Sequence, residues 1–352
     1  MYKKIFMGIA AVAALTLVSC SSDDLNSLSD NSSKNEAISF DGYWGRSAVS
    51  VNGSRGTVID KAEDLQKITE GFGVFGNYSS TDGEAFGSNL FENQKVTYST
   101  EETKWTYSPK KYWSPQGHID FLAYAPRVEG TKLKDNTSSI EFTVADNAAN
   151  QKDLLWANAA NQTMANNSGT DKKVKFQFGH ALSRLGYTVK TNTTSSDVAI
   201  TLKKITLAGS SDGKKTAFYT AGTIDLSYTS STTTSLWTIP TPDTKQNFTW
   251  FSGTQNVTST SASNSNTDYL FVIPQDFSKE TTDADALYVI VEYTIQNGTT
   301  ETMTSTVSSK LAKKLEQGKA YSINLTLGLT PIEFDADVTD WKNTEEKDVY
   351  WN

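Results

Sequence analysis

The chain has 352 residues, enough for two domains of ordinary size, and 40 acidic against 32 basic residues give it a net charge of −8. This excess of acidic residues argues against nucleic-acid binding, and a content of two His and one Cys excludes zinc sites of the Cys/His type. Thr, Ser, Asn, Gly and aromatic residues are frequent and long helical runs are rare, which predicts an all-β protein with many turns.

The N-terminus has the features of a lipoprotein signal peptide. Two lysines precede the apolar stretch Ile5–Leu17, which is shorter than the roughly 20 residues that a membrane-spanning helix needs. The sequence LVSC, ending at Cys20, matches a lipobox, in which a small residue precedes the Cys that becomes acylated. Because Cys20 is the only Cys, it cannot form an intramolecular disulfide. We therefore expect residues 1–19 to be removed and Cys20 to carry lipid that holds the chain on a membrane.

Residues 20–36 are rich in Ser, Asn and Asp and poor in apolar residues, so they predict a flexible tether. Asp23 and Asp24 resemble the acidic export signal with which Bacteroides-type bacteria send lipoproteins to the outer surface, although a solvated tether explains them equally well. The expected location is the outer membrane at the cell surface.

From residue 37 onward, short stretches of alternating or clustered apolar residues are separated by turn residues. The strands predicted in the first half include Ile38–Gly42, Phe72–Tyr78, Ile119–Pro126 and Ile140–Val144. Ala62–Glu70 is predicted to form a short helix or another ordered segment. Asn158–Lys172 is polar and aperiodic, and we expect a long loop or a linker there.

The second half continues the pattern. Its predicted strands include Val174–Phe178, Val198–Leu207, Leu287–Ile295, Glu301–Val307, Ala320–Leu329 and Ile332–Val338. Asn297-Gly298 is a strong hairpin-turn dipeptide between two of them. Lys310–Leu315 is predicted to form one helical turn. Strands at this spacing are typical of β-sandwiches, so we expect two sandwich domains, residues 37–172 and 173–352.

No residue pattern predicts an enzyme. His180 lies close to Ser183 in the sequence, but Phe176, Phe178, His180 and Leu182 are expected to fall on one strand face, which favours a core or strand-end role, and no nucleophile-elbow motif accompanies His180. The many carboxylates show no spacing typical of a glycosidase pair, and there is no Gly-rich phosphate loop. We expect no catalytic residues and no cofactor.

Two further groups have a binding and a structural interpretation. Asp335, Asp337 and Asp340 would bind calcium only weakly, and their alternation with apolar positions favours a solvated strand face, so no metal site is predicted. The aromatic residues of the segment 105–113 would be able to stack on sugars, but their spacing favours packing within a sheet. They are Trp105, Tyr107, Tyr112 and Trp113.

A set of segments occurs in one order along nearly the whole mature chain. These segments are the lipobox, Ile38–Phe40, Ser54–Gly56, Phe72–Phe75, Tyr112–Ser114, Phe121–Pro126, Asp153–Ala157, Phe176–Leu185, Gly318–Tyr321 and Val338–Trp341. As an ordered set they resemble the fimbrillin superfamily, the pilus subunits and pilus-associated lipoproteins of oral and gut Gram-negative anaerobes (type V pili). The segment Phe176–Leu185 is the most specific part of the resemblance.

The resemblance implies two transthyretin-like β-sandwich domains in tandem after a flexible, lipidated N-terminal segment. It also implies that a trypsin-like protease cuts stalk subunits after an Arg, which frees the first strand and opens a groove for a strand of the next subunit. Arg55, in a Ser-Arg-Gly loop before the apolar residues 57–59, is the favoured cleavage site, and Arg46 is the alternative. A solvated loop charge would explain either Arg as well.

The strand to be removed is then Ile38–Gly42, and the donor strand is expected near the C-terminus. A donor strand should alternate, because only alternate side chains enter the groove while the main chain completes the sheet edge. The alternating residues are Ile332, Phe334, Ala336 and Val338.

The resemblance therefore predicts a structural, non-enzymatic subunit of a cell-surface fimbria that mediates adhesion. Its expected partners are other fimbrial subunits, the maturation protease, the outer membrane through its lipid, and a surface ligand. One alternative is a non-polymerising surface lipoprotein that binds glycans through residues such as Trp113 or Trp351; another is a fimbrial tip or anchor protein.

Overall fold

A computed structural model describes residues 36–43, 59, 61–81, 86–87, 89–135, 137–167, 172–229, 235–259, 262–263, 269–279, 286–329 and 333–340. This part of the chain is nearly all β-structure, as the composition predicts. Its helical elements are α1 (Ala62–Lys67) and a 3-10 turn at Ala148–Asn150, so the predicted helix at 62–70 is confirmed for its first six residues.

The strands are numbered in chain order. In the first half they are β1 (Phe40–Tyr43), β2 (Phe72–Ser79), β3 (Phe91–Ser99), β4 (Lys104–Thr106), β5 (His118–Ala125), β6 (Ser139–Thr143), β7 (Leu155–Gln162), β8 (Val174–Gln177) and β9 (Gly179–His180). In the second half they are β10 (Ser183–Thr191), β11 (Val198–Ala208), β12 (Phe218–Tyr219), β13 (Ala221–Asp225), β14 (Trp237–Thr238), β15 (Lys245–Gln246), β16 (Phe248–Val257), β17 (Ala262–Ser263), β18 (Leu270–Val272), β19 (Gln275–Asp276), β20 (Tyr288–Asn297), β21 (Thr300–Lys310), β22 (Lys314–Leu315), β23 (Lys319–Leu327) and β24 (Glu333–Asp340).

A six-stranded sheet, in the order β4-β3-β2-β5-β7-β9, lies between two hydrophobic cores. Phe72 and Val74 on one face of β2 join the first core, whereas Phe75 on the other face joins the second. Because both faces are covered, β2 is buried along almost its whole length. A Cβ at Gly73 would lie 2.6 Å from the Tyr124 ring, so this strand needs a residue without a side chain there.

The second core includes Phe75, Leu122 and Tyr124 of the six-stranded sheet and extends between two sheets from the second half of the chain. One has the order β17-β10-β23-β24, with β18 also paired to β10, and the other has the order β16-β11-β20-β21. The first and last long strands of this half, β10 and β23, are parallel neighbours from Arg184↔Ala320 to Thr191↔Leu327. A small sheet, β14-β13-β6, joins the two halves, because β13 pairs antiparallel with β6.

The predicted strands at 198–207 and 320–329 and the hairpin at Asn297-Gly298 are confirmed. Gly298 has φ 59°, the left-handed conformation that a tight hairpin requires. The helical turn predicted at Lys310–Leu315 is wrong: Lys310 ends β21, and β22 pairs with β19. The expected loop at Asn158–Lys172 begins later than predicted, because β7 continues to Gln162.

Candidate functional site

The first described residues, 36–43, form an extended segment that is hydrogen-bonded along both of its edges; we call it the first-strand segment. On one side its β1 residues pair in parallel with β8, and Val174 N–H donates to Ser39 O at 2.8 Å. On the other side Ile38 N–H donates to Lys111 O at 2.9 Å, and Trp113 N–H donates to the Glu36 carbonyl at 3.1 Å. The segment is therefore held by two remote parts of the chain: by β8 along residues 39–43 and by residues 111–113 along residues 36–38.

Alternate side chains of the first-strand segment enter the first core. Ile38 and Phe40 are 0% and 2% exposed, whereas Ser39 and Asp41 on the other face are partly exposed. Gly42 continues the buried row, and a Cβ there would lie 3.1 Å from Leu65 Cδ2 of α1. Burial of Ile38 and Phe40 stabilises the attachment of the segment by about 3–6 kcal/mol in total.

Phe40 lies in a cage of aromatic rings. Four ring centroids lie 5.4–5.6 Å from its own, in edge-on, tilted and stacked arrangements that aromatic pairs favour. They belong to Phe91, Tyr107, Phe121 and Phe176. The cage is formed by residues from strands β3, β5 and β8 and the loop after β4, so removal of Phe40 would leave an apolar hole at the centre of the first core.

Tyr107 also holds the backbone of the segment. Its hydroxyl donates to Ile38 O at 2.8 Å and accepts a hydrogen bond from Lys111 N–H at 3.3 Å. Burial raises the pKa of the Tyr107 phenol to about 12, so the hydroxyl keeps the proton that it donates well into the alkaline range. The sequence singled out Tyr107 only as a packing residue; no local pattern indicates its bond to a residue 69 positions away.

The next described residue after the segment is Ile59, which is fully buried. Its N–H donates to Asp153 Oδ2 at 3.4 Å, and the same oxygen lies 2.9 Å from His180 Nδ1. Tyr43 and Ile59 thus mark two anchored points. Of the sequence-predicted site residues, Cys20, Arg46, Arg55 and Ile332 lie outside the described residues; Arg46 follows Tyr43 by three positions and Arg55 precedes Ile59 by four.

His180 has the core role that its alternation predicts. It is 8% exposed and bonded to the fully buried Asp153, and the Ser183 hydroxyl donates to Glu316 O at 2.8 Å. The expected single strand face is wrong, because Phe176 and Phe178 pack in the first core whereas Leu182 packs in the second. The chain crosses from one core to the other at this point.

The C-terminal strand β24 lies at the outer edge of its sheet and pairs only with β23 among the described strands. Phe334 is opposite Leu325 and Ala336 is opposite Ile323; Ala336 is 8% exposed and belongs to the second core. Val338 is 46% exposed, so the predicted alternation fades toward the end of the strand.

The other face of β24 is polar, as the sequence predicts. On this face, Asn324 Nδ2 donates to Asp337 Oδ2 at 2.8 Å. Asp340 lies on the same face as Ala336 and Val338, at the exposed end of the strand, where it pairs with Lys319. In the described part of the chain, no group of three His, Cys, Asp or Glu side chains is placed to hold a metal ion. None of the described helices has the length and apolar character needed to cross a membrane.

The aromatic residues of the segment 105–113 mostly pack, as predicted. Trp105, Tyr107 and Trp113 are buried, whereas Tyr112 is 51% exposed. The buried indole of Trp113 cannot stack on a sugar, which removes the main residue on which a glycan-binding interpretation depends within the described structure. Trp351 lies outside the described residues.

The chain is similar to known proteins in both sequence and structure. Residues 61–341 match the Fimbrillin-like family. A curated relative, the fimbrium subunit Fim1C of Phocaeicola vulgatus, is 24% identical, with 97% of each chain covered. A fimbrial protein from Bacteroides vulgatus has a similar structure, with a TM-score of 0.64, 21% identity and coverage of 88% of this chain and 100% of that one. A candidate cell adhesion protein from Bacteroides uniformis has a TM-score of 0.51 and 18% identity, over 87% of this chain and 99% of that one. The chain belongs to the fimbrillin-like family.

Proposed function

We propose that this chain is a structural subunit of a cell-surface fimbria, and that it polymerises by exchange of its first-strand segment for a strand of another subunit. One observation carries the proposal: the segment is bonded to β8 on one edge and, through residues 36–38, to residues 111–113 on the other, and it inserts Ile38 and Phe40 into the first core. Its loss would leave unpaired backbone groups on β8 and at residues 111–113 beside an apolar groove. Such a groove is stable only when another strand fills it.

Cleavage is the step that would allow the exchange. Arg46 and Arg55 both lie between Tyr43 and Ile59, so a cut after either would leave the segment attached only by non-covalent contacts. Arg55 is the proposed site and Arg46 the alternative. The lipid on Cys20 would deliver the precursor to the outer membrane and would be lost with the segment from a stalk subunit.

The C-terminal strand is the proposed donor. β24 pairs with a single neighbour, β23, at the edge of its sheet, so its donation would break only one ladder of hydrogen bonds. Phe334 and Ala336 alternate with polar residues in the same way as Ile38 and Phe40 do in the segment, so the groove would receive side chains at the same spacing. Ile332 and Val338 would extend the donated strand at its two ends.

An arginine-specific protease tests the cleavage step, because the chain has only four arginines. Two of them lie in folded structure: Arg127, whose Nε donates to Asn93 O, and Arg184, which lies in β10. We expect a single early cut, with a new N-terminus at Gly56, followed by a ladder of oligomers that resists heating in detergent. Arg55→Ala should abolish both products, and Arg46→Ala should leave them unchanged; the reverse result would assign the cut to Arg46.

Two matched variants of β24 test the donor. Ala336→Asp places a charge on the face that would enter the groove, whereas Thr339→Asp places the same charge on the exposed face. We expect both proteins to be cleaved but only Thr339→Asp to form the ladder. A cleaved Ala336→Asp protein that polymerises normally would refute β24 as the donor, and a wild-type protein that is cut without forming a ladder would refute the stalk role.

A further inference from the structure

β21 is a long strand at the outer edge of the four-stranded sheet. It contains 11 residues, and its pairing with β20 is regular from Thr302 to Lys310. In the described part of the chain, no strand pairs with its other edge. The outer edge therefore presents a row of backbone N–H and C=O groups at which pairing with another strand can take place.

Edge strands in natural proteins are usually protected by short length, charged residues, proline or irregular pairing. The other outer strands of the three largest sheets have such protection. β4, β9 and β17 have two or three residues, β24 carries four carboxylates, and β16 has two register shifts in its pairing with β11. From Thr302 to Ser309, β21 has none of these features.

The sequence of β21 favours pairing. Residues 302–309 read TMTSTVSS, without charge, Pro or Gly, and Thr and Val are strand-forming residues. Met303 is 65% exposed, the most exposed of the large apolar side chains in the described structure. A strand of this kind requires either a covering partner or a reason for its exposure.

We propose that β21 pairs edge to edge with β21 of a second copy of this chain, in antiparallel orientation. The two-fold axis would lie perpendicular to the sheet and would join two four-stranded sheets into one continuous sheet. This contact involves neither the first-strand segment nor β24, so it is independent of strand exchange and would join subunits side by side.

The symmetry restricts the register. Paired residues in an antiparallel sheet have their side chains on the same face, and a two-fold axis perpendicular to the sheet leaves each side chain on its original face. An odd-numbered residue must therefore pair with an odd-numbered residue of the second copy, and an even-numbered residue with an even-numbered one. The outward-pointing backbone groups of the two copies then face each other. With Ser305 on the axis, Met303 meets Val307 of the second copy, and Thr304 meets Thr306.

The same register also arranges the charges favourably. The strand has one acidic residue, Glu301, and one basic residue, Lys310, near its opposite ends. Each Glu301 would lie one position from Lys310 of the second copy, and no like charges would face each other. This self-complementarity is why a second copy of the chain is the partner that the edge fits.

Sedimentation velocity of the uncleaved chain, without residues 1–20 and with Arg46→Ala and Arg55→Ala to prevent cleavage, tests the proposal. We expect a concentration-dependent dimer with a Kd of roughly 10–100 μM, because one strand pair buries less surface than the about 1,200 Å² of a stable interface. Amide hydrogen exchange of residues 302–309 should slow by at least about threefold as the dimer forms. A chain that stays monomeric up to about 1 mM would overturn the proposal.

Charge exchange tests the register. Thr302 would face Ser308, and both are exposed and opposite uncharged residues of β20. T302K/S308K and T302E/S308E should each be monomeric, because like charges meet, and an equimolar mixture should dimerise again. The control T249K/N256K adds the same charge to the opposite edge strand β16 and should dimerise as the wild type does.

If both like-charged variants still dimerise, or if the control loses the dimer equally, β21 is not the contact and the proposal fails. If the mixture stays monomeric while each variant keeps the thermal unfolding of the wild type, the register is wrong. Hydrogen exchange of the uncleaved chain needs no substitution in β21, so it decides the question even if a double variant does not fold.

Discussion

Phe40→Ala is the sharpest perturbation of the first-strand segment. It removes a ring that is 2% exposed and that contacts four aromatic rings at centroid distances of 5.4–5.6 Å. Because the cage is built from separate strands, it cannot collapse fully onto the missing ring. We expect the free energy of unfolding to fall by about 3–5 kcal/mol, a large share of the roughly 5–15 kcal/mol of an ordinary domain.

Two measurements separate local release from global unfolding. Denaturant titration gives the loss of stability, and hydrogen exchange reports the amides that the segment protects. The N–H groups of Trp113 and Val174 donate to Glu36 O and Ser39 O, so both should exchange faster in Phe40→Ala even where the second core is unaffected. In the protease assay, the looser segment should also speed formation of the ladder.

Ser39→Ala is the control, since Ser39 lies on the opposite face of the same segment. We expect it to change stability by less than about 0.5 kcal/mol. The reasoning is wrong if Phe40→Ala costs no more than this control, or if the Trp113 and Val174 amides keep wild-type protection. Either result would mean that backbone pairing, and not the aromatic cage, retains the segment.

Three other predictions concern polar contacts. Tyr107→Phe removes the hydrogen bond to Ile38 O and should lower the free energy of unfolding by about 0.5–1.5 kcal/mol. The pKa of Tyr107 is about 12 in the folded state against an ordinary value of 10, so the stability that this phenol contributes is complete below pH 10 and is lost as the pH rises to 12. Ultraviolet titration of the phenol and unfolding at high pH would check this. The side-chain hydrogen bond from Lys152 lowers the pKa of Glu70 to about 2, so the stability that the Glu70 carboxylate contributes is present above pH 4.5 and is lost as the pH falls toward 2. In Lys152→Gln, NMR titration should show the Glu70 pKa returning toward its ordinary range. The free energy of unfolding should change by less than about 1 kcal/mol, because both side chains are largely exposed. Asp153→Asn weakens the buried hydrogen bond from Ile59 N–H and should lower the free energy of unfolding, measured by denaturant titration, by about 1.5–3 kcal/mol. An unchanged unfolding midpoint would contradict a structural role for this carboxylate.

Local patterns in the sequence predict much of the strand content. The alternation at Ala320–Leu329 corresponds to β23, and Asn297-Gly298 corresponds to the β20–β21 turn, because side-chain period and turn chemistry are properties of neighbouring residues. Lys310–Leu315 shows the limit. Its composition favours a helix, but pairing of Lys310 with Tyr288 and of β22 with β19 overrides that preference.

The candidate site was predictable only in part. The alternation of Ile38 and Phe40 indicates a half-buried strand, and β24 was visible for the same reason. The partner of β1, however, lies more than 130 positions along the chain, and the parallel pairing Phe40↔Val174 follows from no local signal. For the same reason the sequence assigned Val174–Phe178 to the second half, although Val174, Phe176 and Phe178 pack with Phe40 in the first core.

The parallel pairing of β10 with β23 has a mechanical consequence. β10 begins soon after the chain enters the second core, and β23 is the last strand before β24. If β24 is donated to a neighbouring subunit, tension along a fibre pulls the start of β10 and the end of β23 in opposite directions. Parallel strands loaded in this way shear, so the bonds from Arg184↔Ala320 to Thr191↔Leu327 would have to break together and not one after another, and this geometry would resist extension of the fibre.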